Sequence, residues 1–101
     1  MKETISGFDW DAGNLEKCLK HGVSRTEIEA LFLQPLAVLP DKGHSLSEKR
    51  LKAVGRNNTN RSIFLVFTMR SRNGNIFIRP ISARYIHAKE IRHYEKDNPC
   101  L

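Results

Sequence analysis

The sequence is poor in cysteine. Cys18 falls within a pattern of helical period and Cys100 next to the last residue, so the two form neither a disulfide framework nor a CxxC metal pair. Reduced thiols in a cytosol are the expectation. Long apolar runs are also missing: no stretch approaches the roughly 20 residues a membrane helix needs. Residues 1–11 carry acid without a signal peptide's apolar core, so the expected location is cytoplasmic, with no membrane partner. The six glycines are scattered, with Gly55 and Gly74 at strand or turn positions, which excludes a phosphate-binding loop and a dinucleotide fingerprint. Among His21, His44, His87 and His93 no two have the spacing of a zinc motif, so neither a metal nor another cofactor is expected. Cys18, on the apolar side of its helix, is read as a small buried thiol rather than a nucleophile.

What the chain does have is positive charge, unevenly placed. The 101 residues, enough for one domain over 1–101, carry a formal net charge of +6. Residues 1–48 hold five Lys/Arg against eight Asp/Glu (−3), whereas 49–101 hold twelve against three (+9). Concentrated like charge opposes compaction, so nine positive units in half a small domain point to a polyanionic partner, nucleic acid being the commonest.

The periodicities predict an α+β fold: two N-terminal helices, a mainly antiparallel sheet of three to four strands, and a C-terminal helix. Asp11 caps a helix over 11–22, Gly22 supplies its left-handed end, and Ser24 with Glu27 spells a capping box for a second helix that stops before Pro35. Leu36 to Leu39 reads as a short strand and Pro40 to Ser47 as a loop. Lys49 to Gly55, Ser62 to Met69 and Asn75 to Ile81 read as strands, the second central and covered on both faces because five apolar residues follow one another. Asn73-Gly74 predicts a type I′ hairpin, and Pro80 an edge or bulged position. A last helix over Ile86 to Lys96 turns Ala88, Ile91 and Tyr94 inward. Lys89, Arg92, His93 and Lys96 then line one stripe, which either tracks phosphates or is a solvated face.

The remaining chemistry-bearing side chains are Glu48, Arg50, Arg56, Arg61, Arg79 and Arg84, with Lys20 and His21. RNA is cut without metal when a base takes the 2′-OH proton, an acid protonates the leaving 5′-oxygen, and fixed cations hold the phosphorane-like charge. Arginine suits the last task because its guanidinium stays charged and donates two parallel hydrogen bonds to phosphate oxygens. Arg79 shares a strand face with Phe77 and Ile81, where a lone charge is costly, so it needs a partner. The plain structural alternative is an ion pair with Glu48 or Glu90.

These residues resemble the BrnT toxins of bacterial type II toxin–antitoxin pairs. The resemblance rests on Phe8-Asp9-Trp10-Asp11, Lys20-His21-Gly22-Val23, the D-x-x-H-S-x-x-E-x-R spacing of Asp41, His44, Ser45, Glu48 and Arg50, then Gly55, and Arg79-Pro80-Ile81-Ser82-Ala83-Arg84 followed by Glu90 and Tyr94. It implies a compact fold similar to the RelE ribonuclease toxins and RNA cleavage that stalls translation. It also implies a ribbon-helix-helix, BrnA-like antitoxin whose complex binds operator DNA. Carried onto this chain, it makes Arg79 and Arg84 phosphate clamps and Lys20, His21, Glu48 and Arg50 the proton-handling or positioning set. Arg56, Arg61, Lys89, Arg92, His93 and Lys96 are then RNA contacts. Structural alternatives stand beside two of these: His21 interacting with a helix C-terminus, and Glu48 pairing Arg50 or Arg79. Many relatives carry a lysine near Asn14 and a further asparagine near Cys18, so no catalytic role is expected at those positions, and Pro80 replaces a more usual aliphatic residue. The rival class is a non-catalytic module holding RNA or an acidic protein on the same basic surface.

Overall fold

Residues 5–34, 36–40, 49–57, 59–87, 89, 90 and 92 are described by the computed structural model of the protein. Glu48, His93, Lys96 and the expected loop at 41–47 lie outside the described residues.

Both N-terminal helices start where their caps predict. Asp11 opens α1 (Ala12–Leu19) with a reciprocal box: its carboxylate accepts the Asn14 N–H at 3.1 Å, while Asn14 Oδ1 accepts the Asp11 N–H at 2.7 Å. Asparagine thus does what Glu or Gln usually does at that position. Gly22 then turns the chain at φ +84°, and Ser24 with Glu27 forms the second box, beginning α2 (Arg25–Leu31).

The sheet is larger than the sequence pattern suggests. Strands β1 (Ile5–Phe8), β2 (Ala37–Pro40), β3 (Leu51–Arg56), β4 (Ser62–Arg72) and β5 (Asn75–Ile86) form one five-stranded sheet in the order β1-β5-β4-β3-β2. Three pairs are antiparallel, but β1 runs parallel to β5, making the sheet mixed. The expectation of three to four strands is therefore corrected to five. The added strand, Ile5–Phe8, is too short and too polar to announce itself, since it is completed only by pairing with a strand some 70 residues away. The expected closing helix is corrected as well. Ile86 is the last residue of β5 and the continuous helices are α1 and α2; beyond β5, of the described residues, Lys89, Glu90 and Arg92 are helical, with Glu90 N–H bonding the His87 carbonyl at 2.9 Å.

β5 continues through Pro80 for two local reasons. Pairing with β1 ends at Ile78, and the Pro80 carbonyl faces that open side, where it accepts from Asn14 Nδ2 at 2.8 Å. In a strand a residue's N and C=O point the same way, so no ladder bond to β4 is lost. A bulge between the pairs Phe67↔Pro80 and Val66↔Ser82 leaves Ile81 over and realigns the remainder. The hairpin is as predicted, with Asn73 at φ +52° and Gly74 at φ +81° joining Arg72 to Asn75.

Alternation divides the sheet into two unlike faces. On one, Ala53, Ile63, Leu65, Phe67, Ile78 and Ala83 pack against Cys18, Val23, Ile28 and Leu31 of the helical layer. Phe8, Phe32 and Phe67 meet edge to face at 5.5 and 5.3 Å. β4 is central, as expected, but it is not apolar and buried on both sides. Its second face carries a small cluster of Val54, Ile86 and Phe64, with Thr68 and Arg70 further along. No helix among the described residues is long and apolar enough to cross a membrane.

Candidate nucleic-acid interface

The second sheet face collects the positive charge of the chain's latter half. Strand alternation places Arg50, Lys52 and Arg56 from β3 and its lead-in, Arg70 and Arg72 from β4, and Arg79 and Arg84 from β5 on that face. No strand residue on it is acidic. Among the described residues, the carboxylates that meet it come from its margins: Asp9, Asp11 and Glu90.

A shallow cleft of about 290 Å³ opens where this face meets α1, lined by Gly13, Asn14, Lys17, Arg50, Thr68, Arg70, Arg79 and Ile81. Three guanidiniums and one ammonium line this one hollow and give it a positive field. Thr68, buried, donates its hydroxyl to the Lys49 carbonyl at 2.7 Å and so ties the backbone beside Arg50 to β4.

Arg79 is the most tightly held of these cations. Its Nη2 donates to Asp11 Oδ2 at 2.8 Å and its Nη1 lies 3.6 Å from Asp9 Oδ1, leaving the side chain 20% exposed. Arg72 meets the other Asp9 oxygen at 3.2 Å. The same loop also holds the backbone, since Asn14 Nδ2 donates both to the Asp9 carbonyl at 3.0 Å and to the Pro80 carbonyl. The Asn14 backbone N–H, and then the Arg79 guanidinium, keep the Asp11 carboxyl below its usual range. Arg79 does need a partner, but that partner is the Asp9–Asp11 pair rather than Glu90, which instead holds Arg84 at 3.3 Å.

The expected site residues do not all converge. Arg50 and Arg79 line the cleft. Arg84 shares their face, yet stands five residues along β5, on the order of 15 Å away, and is held by Glu90 while Arg79 is held by Asp9 and Asp11, so as placed the two guanidiniums do not meet on one phosphate. Lys20 and His21 are exposed at the far end of α1 and do not line the cleft. Arg56 contacts Asn60 at 3.4 Å at the β3–β4 turn, and Lys89 and Arg92 are exposed. Lys17, Thr68 and Arg70 were not singled out from sequence. The last two were legible there: a two-residue turn at Asn73-Gly74 sets Thr68 against Arg79 and Arg70 against Phe77.

Arg61 belongs to a second cleft, also about 290 Å³, where its guanidinium lies 3.6 Å from the centre of the Tyr85 ring. Glu27 is the hub. It accepts from the Tyr85 hydroxyl at 2.7 Å, from Asn57 Nδ2 at 2.9 Å and from Ser24. Burial pushes its carboxyl up, but the bonds from Asn57, Tyr85 and Ser24 outweigh that and hold it below the usual range. With both oxygens occupied, Glu27 is a brace between α2 and the sheet, not a proton carrier. Burial likewise pushes the Cys18 thiol up to about 11, in keeping with an inert core position.

Two comparisons bear on this arrangement. Residues 10–90 match a family model described as the ribonuclease toxin, BrnT, of a type II toxin–antitoxin system. No curated protein matches the chain.

Proposed function

Because the chain belongs to the BrnT family of type II toxin–antitoxin ribonuclease toxins, we propose that it cuts RNA in the cleft bounded by Arg79, Arg50, Arg70 and Lys17, without a metal. The observation that carries this reading is the convergence of those four cations on one hollow whose chief guanidinium is fixed in direction by two carboxylates. In the proposed step the RNA 2′-oxygen forms a bond to phosphorus as the bond to the 5′-oxygen breaks. The 2′ proton passes to a base and the 5′-oxygen receives one. Arg79 and Arg50 stabilise the charge that builds on the non-bridging oxygens. Glu48, two residues before Arg50, is the proposed proton-handling group. Arg84 takes a neighbouring phosphate rather than the reacting one.

A toxin of this type has a protein antitoxin. We assign it to the ribbon-helix-helix, BrnA-like class, its complex binding operator DNA, and we assign the toxin's own action to the cytoplasm, where cutting RNA arrests translation. Purified protein freed of its antitoxin should cut RNA in EDTA, and Arg79→Ala should cut at least 100-fold more slowly, a typical loss for a transition-state charge contact. Intact RNA with folded protein would overturn the enzyme. One observation favours the rival non-catalytic module: Arg79 and Arg84 each already face a carboxylate. Under that reading Arg79→Ala would weaken RNA or antitoxin binding without any cleavage to lose.

A further inference from the structure

The face that carries the cleft also carries two phenylalanines, each beside a guanidinium. Phe64, half-buried near the start of β4, has Arg84 over its ring at 5.1 Å from the centre, and Phe77 on β5 has Arg72 over its ring at 5.9 Å. The register places them on either side of the Thr68–Arg79 pair. Phe64 lies four residues from Thr68 along β4, ~13 Å, and Phe77 two residues from Arg79 along β5, ~7 Å. The helical layer packs against the opposite face. This face therefore presents cations for a phosphate backbone together with ring surfaces that cations alone do not require.

We infer that the sheet face turned away from the helical layer is a track for single-stranded RNA, one base stacking on Phe64 and another on Phe77, with the phosphate between them at Arg79. The inference rests on the ribonuclease reading for the place of the reacting phosphate. Single strands offer exposed base planes, and aromatic side chains interleaved with cations bind them with little regard to sequence. An A-form duplex stacks its bases inside and closes its major groove to side chains, so a sheet-borne ring finds nothing to stack on. An acidic protein segment would satisfy the arginines but has no use for two rings spaced about the cleft.

The test uses a fluorescent single-stranded RNA carrying 2′-O-methyl groups throughout, which the protein cannot cut, against the same sequence as a duplex. The single strand should bind at least tenfold more tightly than the duplex. Phe64→Leu, which keeps the apolar contact with Val54 and Ile86, and Phe77→Leu should each weaken binding about tenfold. Both should melt within a few degrees of the parent. Arg84→Gln should lower the slope of log affinity against log salt by about 0.7, as expected for one lost phosphate contact on a single strand. Arg25→Gln, exposed on α2 on the other side of the sheet, should change nothing. Equal affinity for duplex and single strand, leucine variants that bind normally, or binding of a polyglutamate peptide in preference to RNA would each overturn the track. Parallel cleavage of unmodified RNA separates the two ideas. Cutting with normal binding by the leucine variants defeats the track alone, and ring-dependent binding without cutting defeats the ribonuclease reading alone.

Discussion

Asp11 performs two tasks with its two oxygens: one caps α1 through the Asn14 N–H and the other holds Arg79. Substitution can separate them. Asp11→Asn keeps a good capping side chain but removes the charge that aims the guanidinium. It is expected to reduce kcat about tenfold or more while the melting temperature stays close to the parent's, whereas Asp11→Ala should lose both. An Asp11→Asn protein as active as the parent would show that Arg79 orients itself. The Tyr85–Glu27 contact has a different signature. Tyr85→Phe deletes the donor to Glu27 and should cost on the order of 1 kcal/mol at neutral pH. Glu27's carboxyl lies below its ordinary value when folded, so its contribution is present above the normal carboxylate range and is lost as pH falls through the lowered value. The difference between Tyr85→Phe and parent in urea melts should therefore shrink on going from pH 7 to pH 3.

At the scale of elements, the contact between α2 and β3 depends on a missing side chain. A Cβ on Gly55 would stand 2.5 Å from Leu36 Cδ2 and 3.1 Å from Leu31 Cδ2, both leucines being buried. Gly55→Ala should thus destabilise by about 1–3 kcal/mol, read from denaturant midpoints, because two side chains already packed in the core must shift to admit the methyl group. The hairpin shows how far local sequence reaches. Asn73-Gly74 sets a register that carries Thr68, Arg70 and Arg72 against their β5 partners with no further information. Its reach fails at the Val66/Phe67 bulge, where one unpaired residue shifts everything beyond. That is why Arg84 could be placed on the right strand face only once the bulge was known, and why a strand read as ending at Ile81 runs to Ile86.

For the whole molecule, the sheet works as a charge sorter. The positive excess of residues 49–101 reaches one surface because period-2 alternation along β3, β4 and β5 sends apolar residues to the helical layer and basic residues away from it. RNA affinity should then fall steeply with salt: neutralising three or four phosphates of a single strand gives a log–log slope of roughly −2 to −3, measured by titration between 50 and 200 mM salt. A flat dependence would mean that the sorted charge faces something other than a phosphate chain.

The local signals were in the sequence: both capping boxes, the left-handed Gly22, the hairpin, the basic latter half and the family motifs all act between near neighbours or by simple sum, so they need no fold to be read. What holds Arg79 was not. Asp11 lies 68 positions away, and β1 becomes a strand only by lying parallel to β5. Contacts of that span are decided by which surfaces the core brings together, and so is the gap along β5 between Arg79 and Arg84.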